Sequence, residues 1–382
     1  MALTRTPAET ALGMALPHRR MEDWRWTDLR ALVDRPYPPH VEVKAKAADV
    51  ERLLKSSPFS RVAATRMVFV NGLYDAARSQ LGNGRVVTAV LREDPILELN
   101  ALAAMDGARL TLSGETDTPV ELLFISTDAE ARTTAIRNVI EVAPGSTTTL
   151  IETHLGEGSY LANPITELRI GAGARVDRVK VELESKDALH LAHFQVTLEK
   201  DARFNDFTLT SGARVNRQNG NCLFIGQNAQ AHMGGAYLLS GRQHADTRLV
   251  VDHAVPHCTS RELFKCVMDD YARGIFQGKV VVRKDAQKTD GKQSSHALLL
   301  SETAEFDAKP ELEIFADDVV CGHGATSGDL NHDHLFYLKS RGIPEGAARK
   351  LLVAAFVSEA FDTVQHDGLR EALVALVEAR FG

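Results

Sequence analysis

A thiol and an imidazole stand two residues apart in the run Cys321-Gly322-His323-Gly324. In an extended or bulged segment, residues i and i+2 project to the same side. Cys321 and His323 then offer one thiolate and one neutral imidazole to a common ligand, a donor set that suits iron, zinc or copper. Two ligands do not close a coordination sphere, so the others must come from another subunit or from a substrate. A Cys–His nucleophile pair is the competing chemistry, but it needs an oxyanion hole and a substrate pocket that the sequence does not identify. The plain structural reading is a polar turn with a buried cysteine. Asp317 and Asp318 fit either turn residues or acceptors that orient His323. His332 and His334 fall at a helix start, where i and i+2 diverge, and read as solvated cap residues. His232, His244, His253, His257 and His296 cluster only loosely in sequence. Cys222 and Cys266 lie beside apolar runs (CLFI, LFKCVM) and read as small buried hydrophobes. With no Cys-x-x-Cys pair, a structural zinc site is not expected.

These residues sit inside Lys309–Ile343, where an extended run at Glu311–Ala316 hands over to a helical pattern opening at Leu335. Upstream, from about residue 108, short strand-like runs alternate with Gly, Asp, Asn and Pro turns. A small turn residue recurs at Ser146, Ala174, Ala202, Ala229 and Ala286, every 27–28 residues with a last interval of 57 that spans two turns. A weaker copy, VPHC at 255–258, fills the gap. Such a period predicts a chain that coils once per repeat and stacks strand on strand, with Val, Leu, Ile and Phe pointing inward. The expected fold is mainly β, a right-handed parallel β-helix flanked by an N-terminal α/β segment and a C-terminal helical domain. The corresponding domains are 1–107, 108–328 and 329–382. In the first, Ala2–Leu16 reads as a short helix, Trp24 and Trp26 as anchors to the next element, and RMVFVNGLYD as a strand and turn. In the last, HDHLFYLKSRG is a helix. A second begins at Pro344 with Ala347, Leu351, Leu352, Ala355, Phe356 and Ala360 on its apolar side. The two flanking segments are the natural caps for the open solenoid edges.

The 382 residues are 44% apolar and 25% charged, with a net charge of −7. That balance argues against nucleic acid as the ligand. No run of about 18 apolar residues marks a transmembrane helix. The N-terminus carries Arg5, Glu9, Arg19 and Arg20 without an apolar core, so no secretion signal is expected. A cytoplasmic protein with reduced thiols follows. A polysaccharide-active β-helix enzyme, a lyase or glycosidase, is the alternative. It would need clustered carboxylates, aromatic sugar platforms and export. Only 6% of residues are aromatic.

KPELEIFADDVVCGHGATSGDL at 309–330, followed by LFYLKSRGI at 335–343, closely resembles the C-terminal signature of the SufB/SufD family of iron–sulfur cluster assembly proteins. EDWRWTDL at 22–29 resembles that family's N-terminal motif. The repeats match its central β-helix, and the tail matches its helical C-terminal domain. The absence of cysteine before Cys222 is similar to the SufD side of the family. The resemblance implies a scaffold without catalytic turnover, paired with a SufB-like β-helix protein through the C-terminal end of the solenoid. It implies a SufC-like ATPase docked on the C-terminal helices, whose ATP-driven dimerisation pulls the shared interface open. A nascent iron–sulfur cluster would form there on a cysteine of the SufB-like chain and the histidine that corresponds to His323, with Cys321 as its neighbouring candidate. Reduced flavin accompanies the family complex, but no flavin motif stands out here. An open β-helix edge also makes a homodimer of the isolated chain an expectation.

Overall fold

The computed structural model describes residues 5–39, 44–82, 94–127 and 131–381. The start of the expected helix at Ala2–Leu16 lies outside them; Pro7–Leu12 is helical, with a Thr6–Glu9 capping box and Gly13 in the left-handed region. From Arg109 to Gly328 the chain coils as a parallel β-solenoid of about seven turns. Each coil supplies two strands, and successive strands go alternately to two sheets. The first sheet has ten strands. It runs from the hairpin Thr65–Val70/Leu73–Tyr74 through Val120–Ser126 to Asp290–Leu299 and Val320–Gly328. The second has eight, from Arg109–Leu112 to Arg273–Val282 and Glu305–Ile314. Rungs pair parallel and in register; the hairpin, turned by Asn71 and Gly72 at positive φ, is antiparallel.

One corner column explains the repeat. The amides of Arg175, Arg203, Gln230, Thr259, Asp290 and Val320 donate to the carbonyls of Ser146, Ala174, Ala202, Ala229, Cys258 and Thr289. All six acceptor residues are buried, so only small side chains fit the bend. The residue before each lies at φ 58–71°: Gly145, Gly173, Asp201, Asn228, His257 and Lys288. Glycine takes that conformation freely, and Asp and Asn tolerate it through local hydrogen bonds. The column corrects the sequence repeat at one point. Thr289 holds the place expected for Ala286, because the coil ending there is 31 residues long rather than 27–29. The extra residues sit in the turn, where they leave the ladder intact.

Phe204, Phe224, Phe264, Phe276, Val176 and Val280 help fill the space between the sheets. The interior is not the purely apolar ladder that the sequence suggests. Arg178, Lys180 and Glu182 on Arg175–Leu183 point inward, while Val179 and Val181 point outward into a second apolar layer. That layer is made with the C-terminal helices, where Val353, Val357, Phe361, Leu369, Leu373 and Val377 cover the outer face of the first sheet. The N-terminal elements and the helix Pro95–Ala103 cover the second sheet in the same way, with Trp24 buried among Leu12, Leu29, Ile165 and Val215. The Arg217 guanidinium stacks on Trp24 at 4.6 Å. Trp24 anchors the N-terminal segment as expected; Trp26 is only half-buried.

Of the helices His332–Ser340, Glu345–Ser358 and Asp367–Phe381, the last two therefore lie along the solenoid and the first packs on the second, so they do not close its end. Expected as a cap, they leave Val320–Gly328 mostly exposed. The second helix also turns a different face to the core. Ala348, Val353 and Val357 are buried, whereas Ala347, Leu351 and Ala355 are exposed. Apolar residues surround most of this helix, so periodicity does not single out the packed side.

Candidate functional site

Val320–Gly328 is the last strand of the first sheet. It pairs with Asp290–Leu299 on one side, and no described residue pairs with its other edge. The expected polar turn is thus a strand, with the bend at Asp317 and Asp318 instead. CGHGATSG is a poor strand former by composition; the ladder beneath decides its conformation. Gly322 and Gly324 fall on the outer parity, and a Cβ at either would meet open space.

Cys321 and His323 fall on the inner parity, about 7 Å apart along the strand. Cys321 stacks on Gly291, which stacks on Ser260; His323 stacks on Gln293, which stacks on Glu262. Both side chains therefore rise from columns that run down the inside of the solenoid, and they mark its open mouth. Cys321 is half-buried against the core. Burial pushes its thiol up from the usual cysteine range, offset in part by a backbone hydrogen bond from Gly291. A metal that binds it displaces the thiol proton. A Cβ at Gly291 would lie 3.6 Å from Cys321 Sγ and 3.5 Å from Ser260 Oγ, so the missing side chain leaves that column open below the thiol. His323 is exposed.

The other sequence candidates go elsewhere. Asp318 is a turn residue: its amide donates to Gln287 Oε1, and its carboxylate pairs with Lys288. His332 and His334 are exposed at a helix start capped by Asn331. His244 is buried against Thr27, His253 against Ser260, and His296 bonds Thr326 at the surface. Cys222, Cys258 and Cys266 are buried, and burial raises all three thiols. Gln293 and Glu262, below the mouth, carry no signal in the sequence. Their neighbours QSSH and REL carry no motif, and only the rung register places them under His323.

The family model described as "SUF system FeS cluster assembly, SufBD core domain" matches residues 124–356, which include every solenoid rung from the strand at Val120–Ser126 onward and the mouth. The chain belongs to the SufB/SufD family. It is 28% identical to the iron–sulfur cluster assembly protein SufD of Escherichia coli strain K12, over 97% of this chain and 90% of that protein. An iron–sulfur cluster assembly SufBD family protein of Synechocystis sp. is also 28% identical, over 98% of this chain and 90% of its own length. A SufBD family protein of Mycobacterium leprae reaches 34% identity over 59% of each chain. The similarity to SufD thus runs through the N-terminal segment and the C-terminal helices as well as the SufBD core. The matched family model and these relatives are described by iron–sulfur cluster assembly, the family expected from the C-terminal signature. Among the described residues, no helix is long and apolar enough to cross a membrane.

Proposed function

We propose that this chain is a SufD-like scaffold whose open solenoid end pairs with a SufB-like partner, and that Cys321 and His323 supply part of the ligand set for a nascent iron–sulfur cluster in the shared interface. The observation that carries this reading is the mouth itself. Val320–Gly328 and Glu305–Ile314 stand last in their sheets, with free edges side by side. Unpaired strand edges are templates for another strand. A sister solenoid that continues both sheets would satisfy them and bring its own cysteine over His323. A second copy of this chain uses the same edges in the homodimer. The cluster is cargo here, and the chain performs no turnover of its own. The setting is the cytoplasm, and any reduced flavin belongs to the complex, with no residue of this chain assigned to it.

The deciding experiment is anaerobic cluster reconstitution on the complex of this chain, a SufB-like protein and a SufC-like ATPase. His323→Ala lowers cluster yield by about tenfold or more, as loss of a ligand should, while gel filtration shows the complex intact. Wild-type yield in an intact complex removes His323 from the site.

The ATPase is assigned to the C-terminal helices. Phe336 is 75% exposed, Tyr337 57% and Leu351 52%, an apolar surface on two helices that pack on each other, the second of them anchored to the first sheet. Phe336→Asp weakens ATPase binding by about tenfold to a hundredfold, read by titration calorimetry, if it is an interface anchor. Retained affinity moves the docking surface elsewhere.

A further inference from the structure

The solenoid interior holds a second set of donor atoms, far from the mouth. His154 rises from Thr147–Gly156 in the first sheet, and His190 from Leu189–Leu198 in the second. Glu184 lies just beyond Arg175–Leu183, in the corner between them. All three are buried, and their ligand atoms lie within 4.8 Å of one another. His154 Nε2 lies 4.0 Å from Glu152 Oε2, too far for a hydrogen bond, and makes no hydrogen bond to any described residue. His154 and Glu184 also line a cavity of about 20 Å³, room for one water or ion.

We propose that His154, His190 and Glu184 form a binding site for one divalent transition-metal ion, separate from the cluster site at the mouth. Two imidazoles and a carboxylate suit zinc or iron(II). The support around the trio has the form of a metal site's outer layer. His190 Nδ1 lies 2.9 Å from Glu184, and its Nε2 lies 2.9 Å from Glu182 Oε1. Glu182 thereby fixes the ring with Nδ1 turned toward the site. Glu182 is itself held by Lys180, Thr210, Asn216 and Gln218.

Charge points the same way. In the ion pairs among the described residues, Glu152, Asp206, Glu182 and Glu184 gather around two permanent cations, Arg178 and Lys180. A divalent ion among these carboxylates meets that excess of negative charge and gives His154 Nε2 a bonding partner. Tetrahedral bonds of about 2.0–2.1 Å place ligand atoms about 3.4 Å apart. His154 therefore moves inward by roughly 1 Å, next to the cavity that can hold a water as the remaining ligand.

The test uses the full-length chain carrying Cys321→Ser and His323→Ala, so that the mouth contributes no metal. It is expressed in zinc-supplemented and in iron-supplemented medium, dialysed against EDTA and assayed by plasma mass spectrometry. About one ion per chain is expected, and the arm that retains it separates zinc from iron. His154→Gln and Glu184→Gln each lower retention by about tenfold or more. Should either variant fail to fold, the parent chain refolded with cobalt(II) decides, by the visible absorption bands of a four-coordinate nitrogen- and oxygen-ligated ion. A parent chain without metal or cobalt bands overturns the site. So does undiminished metal in a folded His154→Gln chain.

Discussion

Arg178→Ala lowers the stability of the chain by about 3–5 kcal/mol, the cost of removing one partner from a buried ion cluster. Arg178 Nε lies 2.8 Å from Glu152 and Nη1 2.7 Å from Asp206, with all three side chains buried. Its guanidinium also covers the Phe194 ring at 4.1 Å. The two carboxyls respond differently. At Glu152, burial alone would raise the acid, but Arg178 and Lys180 hold it far below the usual range. At Asp206, burial pushes the acid up and Arg178 offsets that only in part. Alanine strands both carboxyls in the interior and removes the packing over Phe194. The check is the urea midpoint at neutral pH. Arg178→Met combined with Glu152→Gln and Asp206→Asn should recover most of the loss, since the uncompensated charge goes with its partners. A shift below about 1 kcal/mol for Arg178→Ala would mean that water reaches the cluster.

That cluster also marks where the sequence stopped being readable. The solenoid itself was legible because its corners are chemically narrow. Ser146, Ala174, Ala202 and Ala229 are small where only small residues fit, and they recur at nearly constant spacing. The reading slipped at Ala286, where a longer turn breaks the spacing without breaking the ladder. Strand polarity was not legible. In RVDRVKVEL, alternation normally puts Val inside and Arg and Lys outside, but flanking helices cover the outer face, so both faces are apolar enough for either assignment. Only the register shows Arg178, Lys180 and Glu182 turned inward. The same ambiguity hid His154 and His190, which sit in runs that read as ordinary strands, IETHL and LHLAHF. Cys321 and His323 stood out for the opposite reason. Glycines and small or polar residues accompany them in CGHGATSG, and the spacing of two places both on one face whether the segment is a bulge or a strand. Their location at an uncovered mouth was not in the spacing, because the C-terminal helices could equally have folded over that end. What keeps them along the sheet is the apolar outer face formed by Val179, Val181, Phe207 and Leu209.

Glu262→Gln stabilises the chain at pH 8.5 by roughly 3–5 kcal/mol and leaves it nearly unchanged at pH 5. Glu262 is 2% exposed, two rungs below His323, and neither carboxyl oxygen has a hydrogen-bond partner. The nearby Ser260 hydroxyl bonds His253 Nε2 at 3.1 Å instead. Burial raises this acid from 4.5 to about 8, with Ser260 and Arg261 only partly opposing it. The folded chain therefore keeps a proton that the unfolded chain releases between pH 4.5 and about 8. Since the native state binds more protons in that window, stability falls as pH rises through it, and the penalty is complete above about pH 8. Glutamine has the shape of the neutral acid and no charge to desolvate, so it avoids the penalty. Other groups titrate too; Glu152 and Glu182, both held low, weaken the fold on acidification. Urea midpoints of wild type and Glu262→Gln at pH 5 and 8.5 cancel those contributions, because both chains share them. If the difference between the two chains does not grow with pH, Glu262 is paired in solution. If it grows as expected, the interior beneath Cys321 and His323 holds an acid that weakens the fold at neutral pH. Such a local conflict is expected where residues serve a site rather than the core. The same pair of variants, taken through cluster reconstitution, then tells whether the mouth needs that carboxyl.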